Sequence, residues 1–553
     1  MMMNGAQALM KTLVDAGIEV CFSNPGTSEM HFVAALDNEP KMRAVLGLFE
    51  GVVTGAADGY ARMADKPAVT LLHLGCGLGN GLANLHNARK GKVPVVNIVG
   101  DHATYHVKYD AQLQSDIETV ARNVSPGFCR TATSTETLGQ DVAEAIAAAR
   151  AKPGQVATLI LPADVSWGEG GVAVEPLSPP TPEAADEATL EAIATAINSG
   201  QKSAILLGGH ALREPTIMAA AKIAAHKGVT LLAETFPTRM ERGAGLPYIE
   251  RIAYLAELAM VQLSDIKHLI LVDAKAPVSF FAYPDKKSYL VPDSCQVHTL
   301  AAPDQDSLAS LSKLVTAVGA DQAQPKLQSE KQPVSPVGKL TAEKVCKAVG
   351  HLLPDNAILI DEGITSTLML AAMTAGAPRH DLLTLTGGAI GQGLPNAVGA
   401  AIACPDRPVF ALIGDGTAMY TIQALWTMAR EQLNVTSIIF NNAAYSVLNI
   451  ELDRVGAKDA GDKAKSQLDL TGPNINFAEM ANSMGVHGIR VQTAEEITKA
   501  LEYAQSQPGP HLIEAIVPES LNKTKRKILP WLLRSMPSLP LSISKALKKK
   551  LAP

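Results

Sequence analysis

Short hydrophobic runs, bounded by glycine, proline or polar residues, alternate along the chain with longer segments in which hydrophobic residues recur at helical spacing. Runs with few polar positions are typical of strands that a parallel sheet buries on both faces. They occur at residues 68–72, 93–99, 158–161, 204–207, 229–232, 268–272, 357–360, 409–413, 436–440 and 511–517. The alternation of such strands with helices predicts an α/β fold built on parallel sheets.

Two segments of different composition interrupt this pattern. Residues 175–186 are rich in proline and acidic residues, and residues 320–336 are polar with few hydrophobic residues. Linkers between domains have such compositions. We therefore predict three consecutive parallel-sheet α/β domains, which a chain of 553 residues accommodates. The predicted ranges of these domains, followed by that of a basic C-terminal tail, are 1–174, 187–319, 337–520 and 521–553.

Composition narrows the class of protein. Hydrophobic residues make up 47% and charged residues 18% of the chain, as in a compact globular protein. The net charge of −6 argues against nucleic-acid binding. The six cysteines form no CxxC pair, no hydrophobic run is long enough for a membrane span, and residues 1–8 lack the basic start of a signal peptide. We therefore expect a cytoplasmic protein with reduced thiols.

Two strands of the third predicted domain each end in a polar side chain. The run 409–413 leads into Asp415, and the run 436–440 leads into Asn442. Because open α/β sheets bind ligands at the carboxyl edge of their strands, these side chains should meet at a binding edge. A carboxylate and an amide oxygen are hard ligands that suit Mg²⁺, which proteins usually share with a phosphate group.

Glycine and a helix start surround this carboxylate. Gly414 and Gly416 flank Asp415, and Gly416 would let the backbone approach a phosphate. A helix predicted from Thr417 to Arg430 would offer free N–H groups to the same anion. Each motif taken alone is also explained as an ordinary turn or strand end.

The spacing of the two motifs resembles that of a known family. Gly-Asp-Gly, a helix, a strand and then Asn-Asn, with 27 positions from Asp415 to Asn442, is similar to the cofactor motif of thiamin-diphosphate enzymes. Residues 414–426 also resemble benzoylformate decarboxylase and acetolactate synthase. The resemblance extends to about residue 520, and the chain is identified as a member of this superfamily. Its overall pattern is similar to that of the acetolactate synthase large subunit.

This resemblance implies cofactors and their ligands. Thiamin diphosphate and Mg²⁺ would bind together, with the metal held by Asp415, Asn442 and the backbone carbonyl of Ala444. The first domain would bind the pyrimidine ring and the third the diphosphate. In segment 386–395, Ile390 would be the bulky residue that holds the cofactor bent. The other residues that the resemblance assigns to cofactor binding are Pro25, Asn80, Thr365, Gly388, Gly414, Gly416, Thr417 and Tyr445.

Glu50 precedes a helical segment of small residues, 51–62, in the first domain. A carboxylate at a helix N-terminus is by itself explained by the helix dipole. By the resemblance, Glu50 would hydrogen-bond N1′ of the cofactor's aminopyrimidine ring and act as its proton relay, whereas the cofactor supplies the carbanion chemistry. The small residues would let the helix lie close to the cofactor or to a partner subunit.

A glycine-rich stretch, residues 75–81, follows the strand at 68–72. It departs from the dinucleotide fingerprint G-x-G-x-x-G, because Asn80 or Leu82 stands where the last glycine is required. A nicotinamide oxidoreductase is therefore disfavoured. The stretch resembles the glycine-rich loop of benzoylformate decarboxylase, in which His73 would be a catalytic acid or base and Asn80 a cofactor contact. A histidine at a strand end can equally be structural.

Three positions are candidates for substrate contact. Thr27 aligns with a substrate-contacting serine of benzoylformate decarboxylase, and Leu448 aligns with a pocket residue of that enzyme. His102, after the strand 93–99, is the third candidate. His102 and the nearby His106 are also explained as ordinary loop residues.

The central domain departs from both kinds of enzyme. Acetolactate synthases hold a structural flavin there, but the segment after strand 268–272 has Lys275 and no arginine to pair with a pyrophosphate. Benzoylformate decarboxylase has its second catalytic histidine nearby, where this chain has Phe280, Phe281 and Tyr283. We therefore predict thiamin diphosphate and Mg²⁺ without stoichiometric FAD.

The predicted activity is decarboxylation of a 2-oxo acid with transfer or release of the aldehyde unit, in the manner of an acetolactate synthase. A benzoylformate-type decarboxylase and an acyl-CoA-linked lyase or carboligase are alternatives. A cofactor-binding regulatory homologue is disfavoured because Glu50, Asp415 and Asn442 are intact. The resemblance implies a homodimer or homotetramer with active sites between subunits. We expect the basic tail to pack on its own domain or close over the active site rather than contact a membrane.

Overall fold

The computed structural model describes residues 3–283, 286–457, 460–519, 528–529, 531–533, 535–536 and 539–551. Its strands are β1 (Met3–Asn4), β2 (Val20–Asn24), β3 (Arg43–Leu46), β4 (Ala68–Leu72), β5 (Val95–Asp101), β6 (Cys129–Thr131), β7 (Val156–Pro162), β8 (Glu169–Gly171), β9 (Ser203–Leu207), β10 (Thr230–Ala233), β11 (Met240–Arg242), β12 (Glu250–Arg251), β13 (His268–Val272), β14 (Gln296–Ala301), β15 (Ala357–Glu362), β16 (His380–Thr384), β17 (Val409–Gly414), β18 (Val435–Asn441), β19 (His487–Val491) and β20 (His511–Ile516). Its α-helices are α1 (Gly5–Asp15), α2 (Met30–Ala35), α3 (Glu50–Ala64), α4 (Leu74–Lys90), α5 (Ile117–Arg122), α6 (Leu138–Arg150), α7 (Ala163–Trp167), α8 (Glu187–Asn198), α9 (Glu214–Lys227), α10 (Ala256–Leu263), α11 (Ser307–Ala317), α12 (Ala342–Leu352), α13 (Leu370–Met373), α14 (Gly393–Ala403), α15 (Asp415–Ala418), α16 (Ala424–Arg430), α17 (Ser446–Arg454), α18 (Asp462–Ser466), α19 (Phe477–Ser483), α20 (Ala494–Ser506) and α21 (Leu541–Leu551).

Three parallel sheets follow one another along the chain. Their strand orders are β3-β2-β4-β5-β7-β6, β12-β10-β9-β13-β14 and β11-β16-β15-β17-β18-β20-β19. The inner strands β4, β9 and β13 are buried along their whole length, because helices cover both faces of each sheet. Strand β11 lies within the range predicted for the central domain, yet it pairs antiparallel with β16 of the third sheet. The predicted class, α/β with parallel sheets, is confirmed.

Helices α3 and α14 pack closely and join the first sheet to the third. A side-chain carbon at Gly399 would lie 1.9 Å from the carbonyl oxygen of Ala56. A side-chain carbon at Gly59 would lie 2.3 Å from the carbonyl oxygen of Asn396. The small residues of α3 therefore allow close approach to a helix of the same chain, a contact that the sequence did not predict.

A buried ion pair within α3 lies close to this helix contact. The Nε of Arg62 lies 2.7 Å from Oδ1 of Asp58, and neither side chain is exposed. Arg62 also donates to the carbonyl oxygen of Thr384 at 2.9 Å, and Gln392 donates to the Asp58 carboxylate. Since a buried charge is costly without partners, these bonds fix α3 relative to the third sheet.

The helix predicted from Thr417 to Arg430 is interrupted. Helix α15 ends at Ala418 and α16 begins at Ala424. Between them, the hydroxyl of Thr421 donates to the carbonyl oxygen of Gly391 at 2.9 Å. A tertiary hydrogen bond therefore fixes the conformation of this segment, which local spacing alone could not predict.

The glycine-rich stretch 75–81, which resembled a loop, is helical and lies within α4. Its glycines make room for α3, because a side-chain carbon at Gly77 would lie 3.2 Å from Oε1 of Glu50 and one at Gly81 would lie 2.8 Å from Cγ2 of Thr54.

Part of the basic tail packs on the central sheet's helix α10. Hydrophobic residues of the tail share a buried cluster with α10 and α17; they are Leu529, Leu533 and Met536 from the tail, Leu258 and Val261 from α10, and Ile450 from α17. Lys545 lies 2.7 Å from Asp265, and Lys548 pairs with Glu250. Residues 520–527 and 534, which carry other basic side chains of the tail, lie outside the described residues. Among the helices in the described part of the chain, none is long and apolar enough to cross a membrane.

Candidate active site

Glu50 begins α3 at the carboxyl edge of the first sheet. Its half-buried carboxylate accepts a hydrogen bond from Nδ2 of Asn80, with Oε2 at 3.0 Å. The hydroxyl of Thr54 lies 3.0 Å from the carbonyl oxygens of both Glu50 and Gly81, and so ties α3 to α4. Two predicted cofactor residues, Glu50 and Asn80, are thus in direct contact.

His73 lies at the end of β4 and faces a buried carboxylate. Its Nδ1 is 2.8 Å from Oε2 of Glu29, which also accepts the backbone N–H of Gly26 at 2.7 Å. Gly26 must be glycine here, because a side-chain carbon would lie 2.3 Å from Nδ1 of His73. Glu29 was not predicted as a site residue. The sequence could have indicated it, because Glu29 lies just after β2, which pairs with β4.

The candidate substrate residues lie at separate places. Thr27 follows β2 and is exposed, next to the half-buried Pro25, which was predicted as a cofactor contact. Leu448, on α17 of the third domain, is also exposed.

His102 follows β5, and its buried Nε2 has no hydrogen-bond partner among the described residues. Its backbone N–H donates to Asp101 at 2.7 Å, and burial raises the pKa of that carboxyl despite this bond. The rings of His102 and His106 lie 5.2 Å apart. The two histidines therefore contact each other.

Asp415 is buried at the carboxyl edge of the third sheet. Its Oδ1 accepts the N–H of Gly416 at 2.8 Å, and its Oδ2 accepts the N–H groups of Asn442 and Ala443 at 2.9 and 2.6 Å. Burial raises the pKa of the Asp415 carboxyl, and the backbone N–H groups oppose that rise. Asn442 Oδ1 accepts the N–H of Ala444 at 3.0 Å. The carboxylate of Asp415 therefore contacts the backbone of residues 442 and 443 at this edge, and the side chain of Asn442 bonds the backbone of the same turn.

Tyr445 closes this edge on one side. A side-chain carbon at Gly416 would lie 2.3 Å from the ring of Tyr445, so only glycine fits beneath the ring. Thr417 is buried beside it, and Gly414 is the last residue of β17. Thr365 is half-buried after β15 in the same sheet.

Ile390 and Gly388 lie in a loop, residues 386–391, that precedes α14. Gly388 has a φ of +78°, and a side-chain carbon there would lie 2.6 Å from Cζ of Phe280. Beneath the loop, the carboxylate of Glu362 accepts backbone N–H groups from residues 391–393. Burial raises the pKa of Glu362 to about 7. No motif in the sequence indicated this contact.

The two edges are joined by packing and not by direct bonds between the candidate groups. Among the described residues, no hydrogen bond or ion pair links Glu50 or Asn80 to Asp415 or Asn442. Because a group of three or more His, Cys, Asp or Glu side chains suited to a metal is absent from the described residues, a metal here would combine the single carboxylate of Asp415 with amide and backbone oxygens.

A cavity of about 330 Å³ lies at the carboxyl ends of β9, β10 and β13. Aromatic residues and lysines line it, namely Phe236, Tyr254, Phe280, Lys90, Lys92 and Lys275. Glu234 also lines it, and burial raises the pKa of this carboxyl to about 7. The cavity therefore combines positive charge with an aromatic wall.

The two sheet edges and their helices define the class of this protein. Residues 3–121 match the family described as thiamine pyrophosphate enzyme, N-terminal TPP binding domain, and residues 363–515 match thiamine pyrophosphate enzyme, C-terminal TPP binding domain. The chain belongs to the thiamine pyrophosphate enzyme family, as predicted, and these domains support thiamin diphosphate as its cofactor.

The chain is similar both to a protein named as an acetolactate synthase and to a benzoylformate decarboxylase. The chain is 54% identical over 523 residues to the Mycobacterium tuberculosis protein named "Putative acetolactate synthase large subunit IlvX", covering 93% of this chain and 99% of that protein. It is 28% identical over 523 residues to the benzoylformate decarboxylase of Pseudomonas aeruginosa, covering 90% and 96%. The solved structure of the thiamine diphosphate-dependent 4-hydroxybenzoylformate decarboxylase of Rhodococcus jostii RHA1 has a TM-score of 0.81 at 23% identity, covering 93% of this chain and 99% of that one, and so shares the fold.

Proposed function

We propose that this protein is a thiamin-diphosphate- and Mg²⁺-dependent enzyme that decarboxylates a 2-oxo acid and transfers the aldehyde unit to an acceptor, as an acetolactate synthase-like carboligase. The observation that carries the proposal is the edge of the third sheet, where Asp415 and Asn442 converge. The 54% identity to a relative named as an acetolactate synthase large subunit supports this class of reaction.

The groups at this edge fit a divalent metal that is shared with a diphosphate. Oδ1 of Asp415 accepts one hydrogen bond in the described part of the chain, from Gly416, so a lone pair remains for a cation. The amide oxygen of Asn442 and the carbonyl oxygen of Ala444 would add hard donors, which Mg²⁺ prefers. A site with one carboxylate leaves positive charge for a diphosphate to balance.

Glu50, oriented by Asn80, would hold a proton at its carboxylate beside the pyrimidine ring of the cofactor. Bound thiamin diphosphate supplies the carbon nucleophile that makes decarboxylation of a 2-oxo acid feasible. Because the positive end of the α3 dipole stabilises an anion at its first residue, Glu50 is well placed to return that proton.

His73 would be the acid or base nearest the substrate. With its proton on Nδ1 and donated to Glu29, the ring presents Nε2 as an acceptor to the site. The carboxylate of Glu29 thereby fixes the tautomer and the orientation of the ring. This pair favours a second candidate function, a benzoylformate-type decarboxylase that protonates and releases the aldehyde unit.

We further propose that a second copy of the chain completes the site, as a homodimer or homotetramer. Glu50 and Asn80 are accessible at the first edge, and Tyr445 and Leu448 at the third. The supporting observation is that the chain itself makes no direct bond, among its described residues, between the two sets of candidate groups.

Product analysis would separate the two candidate functions. The protein is loaded with thiamin diphosphate and Mg²⁺ and incubated with a panel of 2-oxo acids, with and without a second 2-oxo acid or an aldehyde as acceptor. A carboligase should give a condensed hydroxy-ketone product, whereas a decarboxylase should give free aldehyde in both cases. Absence of carbon dioxide release from every acid tested would refute both.

A further inference from the structure

A buried carboxylate lies directly beneath the loop that carries Ile390. Glu362 is the last residue of β15, and only 1% of its surface is exposed. Its carboxylate accepts the backbone N–H groups of Gly391, Gln392 and Gly393 at 2.8, 3.0 and 2.6 Å. Because one buried side chain accepts three successive backbone N–H groups, it fixes the conformation of this backbone.

Other groups hold the same loop on its far side. The carbonyl oxygen of Gly391 accepts the hydroxyl of Thr421 at 2.9 Å. The N–H of Ala389 donates to Oδ1 of Asn87 at 3.2 Å, and its carbonyl oxygen accepts from Nδ2 of Asn87 at 2.7 Å. Both chain neighbours of Ile390 are therefore held by hydrogen bonds.

The glycines around Glu362 let the loop come this close. Gly391 has a φ of +97°, which residues with side chains rarely adopt. A side-chain carbon at Gly393 would lie 2.8 Å from Oε2 of Glu362 and 2.4 Å from Cδ1 of Ile413. The backbone N–H groups can reach the carboxylate only because no side chain stands between.

We propose that Glu362 is a positioning residue, whose carboxylate sets the backbone of residues 391–393 and thereby the place of Ile390 against the bound cofactor. The inference rests on the proposed function, in which Ile390 holds thiamin diphosphate in a bent conformation. Since Glu362 is buried beneath the loop, it acts through Ile390. Thr365, a predicted diphosphate contact, lies three residues after the end of this strand, so the end of β15 would contribute to positioning both halves of the cofactor.

The first test uses the full-length protein without cofactor. Amide hydrogen exchange of residues 389–394 is compared in the wild type, Glu362→Gln and the control Glu234→Gln, which makes the same change at a carboxylate of the central sheet. Glu362→Gln should speed exchange of these amides about tenfold or more, and the control should leave them unchanged. Unchanged exchange in Glu362→Gln would overturn the proposal, as would equally faster exchange throughout the third sheet.

The second test uses the holoenzyme and asks whether Glu362 acts through Ile390. Loss of deuterium from C2 of bound thiamin diphosphate is followed in Glu362→Gln, Ile390→Ala and the double variant. Glu362→Gln should slow this exchange about tenfold, but less than about twofold further when Ile390 is already alanine. Full additivity of the two effects would contradict the proposal.

The two tests distinguish failure of the proposed function from failure of the role proposed for Glu362. If the wild type fails to bind thiamin diphosphate, the proposed function is wrong, and so is the role of Glu362 in positioning the cofactor. The amide exchange still reports whether Glu362 holds the loop. If Glu362→Gln does not fold, Thr421→Val removes the bond on the opposite side of Gly391 and is measured in the same way. Faster exchange confined to residues 389–394 would then support a fixed loop, and unchanged exchange would overturn it.

Discussion

Replacing Glu234 by glutamine should stabilise the central sheet at alkaline pH. Glu234 follows β10, and its Oε1 accepts the N–H of Gly209 at 2.8 Å. Burial raises the pKa of this carboxyl from 4.5 to about 7, against the opposing charge of Lys92. Because the pKa is higher in the folded state, the contribution to stability is fully present below the unfolded value of 4.5 and is lost as the pH rises through about 7.

The size of this effect follows from the change in pKa. A pKa that rises from 4.5 to about 7 corresponds to roughly 3 kcal/mol of stability between acid and alkaline pH. Glu234 lines the cavity of the central domain, where water can reach part of its carboxylate. We therefore expect roughly half of that value, about 1–2 kcal/mol, because nearby water raises the local dielectric constant.

Glutamine keeps an acceptor for Gly209 and carries no charge. Differential scanning calorimetry of the cofactor-free protein should show a higher Tm for Glu234→Gln than for the wild type at about pH 8, by a few degrees, and nearly equal values at about pH 5. The control Glu191→Gln makes the same change on the exposed face of α8 and should alter neither value. Equal Tm values at about pH 8, or equal stabilisation at both pH values, would refute the reasoning.

Four further predictions concern the cofactor site, the helix contact and the central cavity. Glu50→Gln should keep the fold and the affinity for thiamin diphosphate but lose most turnover, because an amide cannot relay a proton; near-normal kcat would contradict this. Asp415→Ala should weaken Mg²⁺-dependent cofactor binding by about 10–100-fold, and unchanged affinity would exclude it as a ligand. Gly399→Ala should destabilise the protein by about 1–3 kcal/mol in thermal unfolding, since the methyl group would meet the backbone of α3, whereas Gly461→Ala, with open space around it, should have little effect. The absorbance spectrum of protein purified without added flavin should lack a flavin band, because we predict that the lysines of the cavity do not retain FAD. A yellow preparation with about one FAD per subunit would contradict this prediction.

The sequence predicted the parts of the fold that depend on local pattern. The strands that lead into Asp415 and Asn442 are continuous hydrophobic runs, so their pairing in one sheet could be predicted from the sequence. Strand β14 was missed because it lies at the edge of its sheet and alternates polar residues such as Gln296 and His298 with apolar ones. The glycine-rich stretch of α4 resembled a loop because its helical state depends on packing against α3.

The supporting groups of the candidate site could not be predicted from local sequence. His73 and Glu29 are 44 residues apart, and Glu362 lies about 30 residues from the N–H groups that it accepts. Such contacts depend on how strands and helices come together in three dimensions, and a carboxylate that accepts backbone N–H groups leaves no sequence motif. The interruption between α15 and α16 has the same origin, since Thr421 is held by a loop far away in the sequence.

The proposed function requires that the edge formed by Asp415, Asn442 and Ala444 binds thiamin diphosphate through a shared Mg²⁺. Isothermal titration of the cofactor-free protein with thiamin diphosphate tests this most directly, once with Mg²⁺ present and once with all divalent cations chelated. With Mg²⁺ we expect saturable binding of about one cofactor per subunit, and chelation should remove most of that affinity. Binding of equal strength in both titrations, or no binding in either, would contradict it.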